Sequence, residues 1–417
     1  MKQQRAVKVE LYPTDEQRIL IHKTFGCVRA VWNDMLGDEQ EFYAAADKHF
    51  IPTPAKYKKK RPYLSEVDSL ALCNAQLALK KAFKRFFENP GHFGHPKFKT
   101  KKKAKKSYTT NCQYHVSGPT VYTAKDAIRL PKLGLVKAKL YRNTPDNWVL
   151  KSATISETKS GRIFCALLYE FDVPAPKEVL PTLENSIGLD YSSPLFYVDH
   201  ENRSPDKPQW FRESEAKLAH EQRLLSHMKY GSKNYIRQLH KIEVLQEHIA
   251  NQRKDFAHKE SRRIANAYGA VCVEDLDNPD KCLLYGNKKA NRKISEFAHG
   301  RMTYLAGRKS QKYHLVVRAV NPAYTSQIGK LKYMRQMGLS VHEAAAYVIG
   351  RRAMGFQEDV PAELMHLIRK PAIPVFHLSN WAALYKATKK IPTHCFYRKL
   401  NYQEYKTAAA LRKALVK

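Results

Sequence analysis

Ser186-Ile187-Gly188-Leu189-Asp190 is a short apolar run that ends on a carboxylate, and Ala270-Val271-Cys272-Val273-Glu274-Asp275 repeats the design after a long helical interval. Apolar runs of this length, bounded by polar residues, read as strands buried on both faces. If the two strands lie side by side in one sheet, Asp190 and Glu274 open into the same crevice. Two or three carboxylates gathered there can hold a pair of divalent cations about 3.5–4 Å apart. Mg2+ takes a few carboxylates and keeps its remaining positions for water and phosphate oxygens. Such a centre hydrolyses phosphodiesters. A lone strand-end acid is more often a plain solvated residue; the pair, in so basic a chain, argues for a metal centre.

The 417 residues include 73 Lys and Arg against 39 Asp and Glu, a formal charge of +34. That excess suits a polyanion with one charge per nucleotide far better than a small neutral metabolite. Hydrophobic residues make up 43% and aromatic residues 11%, enough to bury real cores, which excludes wholesale disorder. The length suits two or three domains. No apolar run approaches the roughly 20 residues that cross a bilayer, and the opening MKQQRAVKVELYP has no secretory core. A soluble, intracellular protein with no membrane partner is expected. Cys27, Cys73, Cys112, Cys165, Cys272, Cys282 and Cys395 are scattered, with no CxxC pair. They read as reduced thiols, and no zinc is expected.

Working towards the N-terminus, residues 116–175 alternate as short strands separated by turns, the spacing of a small barrel or sandwich. Val7, Val9 and Leu11 form a first strand that can return to it. Thr14 and Gln17 make a capping box for a helix through Ile19, Leu20 and Phe25. Gly26 offers a place for another backbone to approach. A second helical run surrounds Val31, Trp32 and Leu36, and a third spans Ser65 to Phe87. Residues 51–62 are a Pro-rich basic loop, and 97–106 are mostly lysine. Towards the C-terminus, residues 212–266 form a charged helical hairpin broken at Gly231-Ser232. A weak strand at 315–320 precedes Asn321-Pro322, and Ser340 to Arg352 is an alanine-rich helix. Residues 353–417 read as a mixed tail.

The segments RAVKVELYPTDEQ…FGCVRAVWNDML, GHPKFKTKKKAKKSY, SIGLDYSSPLFYVD, QRLLSHMKYGSKNY, HIANQRKDFAHKESRRIANAYGAVCVEDL and AVNPAYTSQ occur in this order. The ordered series resembles the TnpB or OrfB-type transposon proteins, RNA-guided DNA endonucleases related to the type V CRISPR effectors. The resemblance covers residues 1 to about 352. It implies an α+β multidomain fold. A β-barrel wedge domain (1–12 and 97–183) would hold an inserted helical recognition module (13–96). An RNase H-like RuvC nuclease domain (184–352) would follow, then the tail at 353–417. It implies a monomer carrying a guide RNA, paired with target DNA, in the prokaryotic cytoplasm beside the nucleoid. It also implies Mg2+ or Mn2+ on Asp190, the first acid, and Glu274, the second.

One departure matters. After TSQ the family has a zinc ribbon with two CxxC pairs and then a segment carrying the third acid. Here Tyr324-Thr325-Ser326-Gln327 runs into Ile328-Gly329-Lys330-Leu331-Lys332-Tyr333-Met334 with no cysteine, and the following helix has no aspartate. Glu343 is a carboxylate one position from the expected place and is the first candidate for the third catalytic and metal-binding role. His342 is the second candidate. Against Glu343, Ser340 and Glu343 have the spacing of a capping box, which would commit that side chain to the backbone.

Phosphate contacts are expected from basic residues: Lys8; Lys58, Lys59, Lys60 and Arg61; Lys97, Lys99, Lys101, Lys102, Lys103, Lys105 and Lys106; and Lys288, Lys289, Arg292 and Lys293 in the loop after Glu274. Two rival functions remain. One is a nuclease-inactive RNA-guided repressor on the same scaffold. The other is a conventional transposase that reads DNA ends directly, against which nothing in the sequence resembles a helix-turn-helix followed by a third aspartate.

Overall fold

The computed structural model describes residues 2–102, 104–141, 144–174, 181–190, 197–201, 210–275, 315–368, 370–372, 378–391, 395 and 407–416. They divide into two compact units, residues 1–175 with 231–244, and residues 176–230 with 245–417. Lys288, Lys289, Arg292 and Lys293 lie outside the described residues, as does Lys103. No helix among the described residues is long and apolar enough to cross a membrane.

The first unit is built on strand β1 (Lys2–Tyr12) and helix α1 (Asp15–Ala46). A short helix α2 (Ala55–Lys58) and helix α3 (Ser69–Glu88) come next. Strands β2 (Ser107–Asn111), β3 (Tyr114–His115), β4 (Gly118–Pro119), β5 (Tyr122–Thr123), β6 (Ala127–Leu130), β7 (Gly134–Lys139), β8 (Val149–Glu157) and β9 (Ile163–Asp172) follow. Seven of these form one sheet in the order β2-β8-β9-β1-β7-β6-β5. Alternation decides its inner face: Val9 and Leu11 of β1, Ile163, Cys165, Leu167 and Tyr169 of β9, and Val136 and Ala138 of β7 share one core. The sheet is a half-barrel with β2 and β5 as edges, where a barrel or sandwich was expected. Helices occupy the inside instead: Ile21 and Phe25 of α1 and Ala71 of α3 fill that core.

The Thr14–Gln17 capping box forms as the sequence spacing requires. The Gln17 amide also donates to the carbonyls of Leu133 (3.1 Å) and Leu135 (2.9 Å), which fastens the start of α1 to the β6–β7 hairpin. The two helical runs expected across residues 15–36 are one helix. Gly26 does not interrupt it, and a Cβ there would meet nothing within 4 Å. The close approach expected at Gly26 is therefore absent; the residue is simply a glycine on an open helix face. Further along α1, Val31, Trp32, Met35 and Leu36 pack on Leu72, Leu79 and Phe83 of α3.

The second unit centres on a sheet in the order β11-β10-β12-β13. Its strands are β10 (Ser186–Asp190), β11 (Val198–Asp199), β12 (Ala270–Glu274) and β13 (Val316–Val320). β10 runs antiparallel to β11 and parallel to β12, and β12 is parallel to β13. Helices α4 (Trp210–Ser226) and α5 (Lys233–Ala267) form the expected pair. On one face of the sheet, Ile187, Leu189, Val271 and Val273 pack with Ala257 and Ile264 of α5. After β13 come α6 (Thr325–Ile328), a π-helical turn (Gly329–Tyr333), α7 (Met334–Met337) and α8 (Val341–Ala353).

α8 covers the opposite face, where Cys272 of β12 meets Ile349 and Ala353. The fit is made by missing side chains. A Cβ on Gly188 would fall on the carbonyl oxygen of Ala346 and 2.8 Å from the Gly350 nitrogen. A Cβ on Gly329 would lie 2.6 Å from the Ala344 carbonyl carbon. Ala344, Ala345 and Ala346 are fully buried, so α8 is clasped by backbone on two sides.

The C-terminal residues are no loose tail. Helices α9 (Ala362–Met365), α10 (Leu378–Thr388) and α11 (Ala408–Val416) follow α8. Val360, Leu364, Trp381, Leu384 and Leu411 share a core with Ile328 and Val348.

Two glycine substitutions should behave oppositely. Gly188→Ala forces α8 off the sheet and should cost about 3 kcal/mol, the upper end for overpacking. Gly26→Ala meets open space in a helix interior and should stabilise by about 0.5–1 kcal/mol. Urea unfolding measures both, and a neutral Gly188→Ala would refute the close packing described.

Candidate nuclease site

Leu189 of β10 pairs in register with Val273 of β12. Asp190 and Glu274 are each the next residue, so they stand level at the ends of adjacent parallel strands. Neighbouring strands lie about 4.8 Å apart. Both acids share the face of Gly188 and Cys272, the face covered by α8, because side chains two apart on a strand point the same way.

Asp190 is buried, and its Oδ2 lies 2.7 Å from Nδ1 of His342 in the first turn of α8. An ionised carboxylate only accepts, so Nδ1 is the donor and Nε2 is the open nitrogen. The bond to Asp190, opposed by partial burial, raises the imidazole's proton affinity. The His342 side chain is 50% exposed. Glu343, the next residue, faces away from this work. Its Oε2 accepts from the Ser340 amide (2.7 Å), while its own amide donates to Ser340 Oγ (3.3 Å). The capping box read from the spacing is thus present, and the side chain beside Asp190 is His342.

Glu274 is held from the AVNPAYTSQ segment. Thr325 Oγ1 donates to its Oε1 at 2.7 Å. Arg352, at the far end of α8, donates to the carbonyls of Asn321 and Ala323, pinning the turn that carries Thr325. The AVNPAYTSQ segment and the Arg351-Arg352 pair were the available signals. Burial pushes the Glu274 carboxyl up; the Thr325 bond and Arg352 oppose this, and the Asp190 charge adds to it. Two carboxylates level at the ends of adjacent strands, one buried and one half-buried, form a donor set that fits Mg2+ or Mn2+. Among the described residues no group of three His, Cys, Asp or Glu side chains is arranged to hold a metal.

The described basic candidates all lie in the first unit. Lys8 sits over the Phe164 ring at 3.9 Å. Arg61 pairs with Asp34 at 2.9 Å, and Lys58 reaches Ser69 at 3.3 Å. Lys59 and Lys60 are exposed. The lysine run is strapped to α1: Trp32 Nε1 donates to the Lys97 carbonyl, and Asn33 exchanges two bonds with the Lys99 backbone. Lys99 Nζ lies 3.3 Å from the Trp32 ring centre, where burial pulls its ammonium down to about 8. Lys106 binds Glu157 at 2.6 Å, which leaves Lys101, Lys102 and Lys105 as the exposed lysines between the ties.

The strain at Glu274 should be measurable. A carboxyl whose folded value is raised contributes its stability at acid pH and loses it as pH rises through the raised value. Glu274→Gln cannot ionise. In EDTA it should therefore melt above the wild type near neutral pH, with the gap closing as pH falls towards the ordinary Glu value of about 4.3. A pH-independent gap in thermal unfolding would exclude this.

Two family models match the chain. One, described as a helix-turn-helix domain, covers residues 1–48; the other, described as "Probable transposase", covers residues 167–280. The first span folds here as strand β1 and the single helix α1, not as two helices about a turn. A Streptomyces pristinaespiralis protein is 31% identical over 304 residues, 70% of this chain and 71% of its own. An Escherichia coli K12 protein is 27% identical over 285 residues, 66% of this chain and 67% of its own. Both bear the name "Putative RNA-guided DNA endonuclease". A cryo-EM structure of a Cas12f1–sgRNA–target DNA complex shares the fold, with a TM-score of 0.53 at 11% identity over 84% of this chain and 99% of that one. The ordered motifs, the matching models and the near-third identity over most of both chains agree: the chain belongs to the TnpB or OrfB-type family of transposon proteins.

Proposed function

We propose that the chain is an RNA-guided, divalent-metal-dependent DNA endonuclease of the transposon-associated type. The observation that carries the reading is the level placement of Asp190 and Glu274 on adjacent parallel strands, under one helix. An antiparallel β11–β10 pair continued by parallel β12 and β13 is consistent with an RNase H-like sheet. The relatives' names and the charge of +34 support RNA and DNA as partners. On this reading residues 184–352 are the nuclease domain, the half-barrel is the wedge domain, and α1 to α3 form the recognition module.

Asp190 and Glu274 would hold Mg2+ or Mn2+, which supplies Lewis-acid activation of water and stabilises the leaving oxygen. The protein's own residues do the rest. Thr325 fixes which Glu274 oxygen stays free, since Oε1 is already bonded. α8 roofs the two strand ends and limits water on that side. Of the two candidates at the third position, His342 is the one bonded to Asp190, whose carboxylate it orients, while Glu343 is committed to the Ser340 cap. Exposed lysines at 101, 102 and 105 track phosphates without reading bases.

A second reading has its own observation. The third position offers an imidazole and a capping glutamate where the family supplies an aspartate. A site of two acids would bind metal weakly, and the protein would then be a guided DNA binder that does not cut.

Target cleavage with copurified RNA separates the two. Asp190→Ala should lose several decades of rate, since the Lewis-acid stabilisation that a metal held there would supply is worth several kcal/mol, while guided DNA binding persists. Glu343→Gln should cut normally, because Gln also completes a capping box. His342→Ala should be strongly impaired. Wild-type protein that binds its target yet never nicks it in Mg2+ or Mn2+ would establish the binder instead. RNA should copurify at low salt, with affinity falling steeply as salt rises; a flat salt response would contradict a phosphate-based interface.

A further inference from the structure

Glu358 lies beyond α8, in the C-terminal stretch before α9. Its side chain is 2% exposed. Oε2 accepts from Lys332 Nζ (2.8 Å) and from the Tyr333 hydroxyl (2.7 Å), both in the π-helical turn. Oε1 accepts from Arg351 Nε (2.6 Å) in the last turn of α8. Its backbone carbonyl accepts from Trp381 Nε1 (2.7 Å) in α10. One buried residue thus ties three elements. A buried ionic cluster is a poor way to gain stability, since apolar residues of similar volume often do as well. What it supplies is a fixed arrangement of the groups it joins.

The arrangement continues towards the candidate site. Tyr333 packs edge-on against Tyr347 of α8, with ring centres 4.9 Å apart. Tyr347 lies 5.8 Å from the His200 ring, and His200 Nδ1 accepts from the Gly188 amide (3.4 Å), two residues before Asp190. From the same turn, Gly329 presses on the α8 backbone at Ala344 and Ala345, the turn after His342.

We propose that Glu358 is a positioning residue: through Tyr333, Tyr347 and the clasped backbone of α8 it sets where His342 stands relative to Asp190. The C-terminal helices are then a working part of the site, although they contribute no group to it. The proposal rests on the reading of Asp190 and Glu274 as the metal-binding acids only for its effect on metal affinity. Its effect on His342 stands apart from that reading.

The test uses the full chain with selectively labelled histidine, the His342 ring signal being assigned by its loss in His342→Ala. Glu358→Gln should shift that signal and weaken Mn2+ binding, followed by EPR, by about tenfold or more, the usual cost of losing an outer support of a metal site. Tyr333→Phe removes one bond and should shift the signal in the same direction, which covers the case in which Glu358→Gln does not fold. Leu364→Ala, in the same C-terminal core, lowers stability by cavity formation and should leave the His342 signal in place. An unmoved His342 signal in the folded Glu358 and Tyr333 variants overturns the proposal. So does an equal shift in Leu364→Ala, which would make the effect one of stability alone. Should the wild type bind no Mn2+ and cut nothing, the nuclease reading fails, and the histidine spectra still decide the role of Glu358.

Discussion

The approach of two backbones at Gly188 governs the second unit. Because neither β10 nor the alanine face of α8 carries bulk there, the helix lies directly on the strand. That proximity, and no local preference of the sequence, brings a half-exposed imidazole within hydrogen-bond reach of a buried aspartate. Interiors packed at crystal density transmit a shift of one element to its neighbours. An added methyl at Gly188 is therefore felt at Asp190, Cys272 and Ile349 together. The other clasp, Gly329 against Ala344, fixes the same helix from the opposite side.

Features written in consecutive residues were legible. Asp190 and Glu274 stood out because each closes an unbroken apolar run. The box at Thr14 and Gln17 needs only its four-residue spacing, and so does the one at Ser340 and Glu343. Relations between distant segments were not legible. Gly26 looked like a place for another backbone to approach because an isolated glycine is ambiguous until its surroundings are known. That His342 and not Glu343 is the side chain bonded to Asp190 could not be read from spacing, because it depends on how α8 lies on the sheet. Val360, Leu364 and Trp381 have no shared period, so the C-terminal core could not be read from spacing. Glu358 gave no signal at all, since its partners lie seven and more residues away, on α8 and the π-helical turn.

Electrostatics divide the molecule's tasks. In the first unit acids discipline the basic surface: Asp34 and Asp38 hold Arg61 and Lys56, and Glu157 holds Lys106 and reaches His22. Such surface pairs contribute little stability, typically 0–1 kcal/mol. Their effect is to choose which cations stay available. In the second unit three carboxylates have neighbours that fix their direction: Thr325 for Glu274, His342 for Asp190, and three donors for Glu358.

The placing of β1 has a consequence for synthesis. β1 pairs along its length with β9, Lys2 meeting Asp172, so its long partner emerges only after the helices and most of the strands between them have been translated. At about 5–20 residues per second, roughly ten to thirty seconds separate the two. During that interval α1 and α3 can already close on each other, since their contacts are nearer in sequence and the entropy of closing the smaller loop is lower. β1 meanwhile offers an unsatisfied edge. Its spacing of Lys2, Arg5 and Lys8 among the apolar residues is the pattern that discourages pairing with a neighbouring nascent chain. These charges thus keep β1 from pairing with a neighbouring chain until β9 arrives.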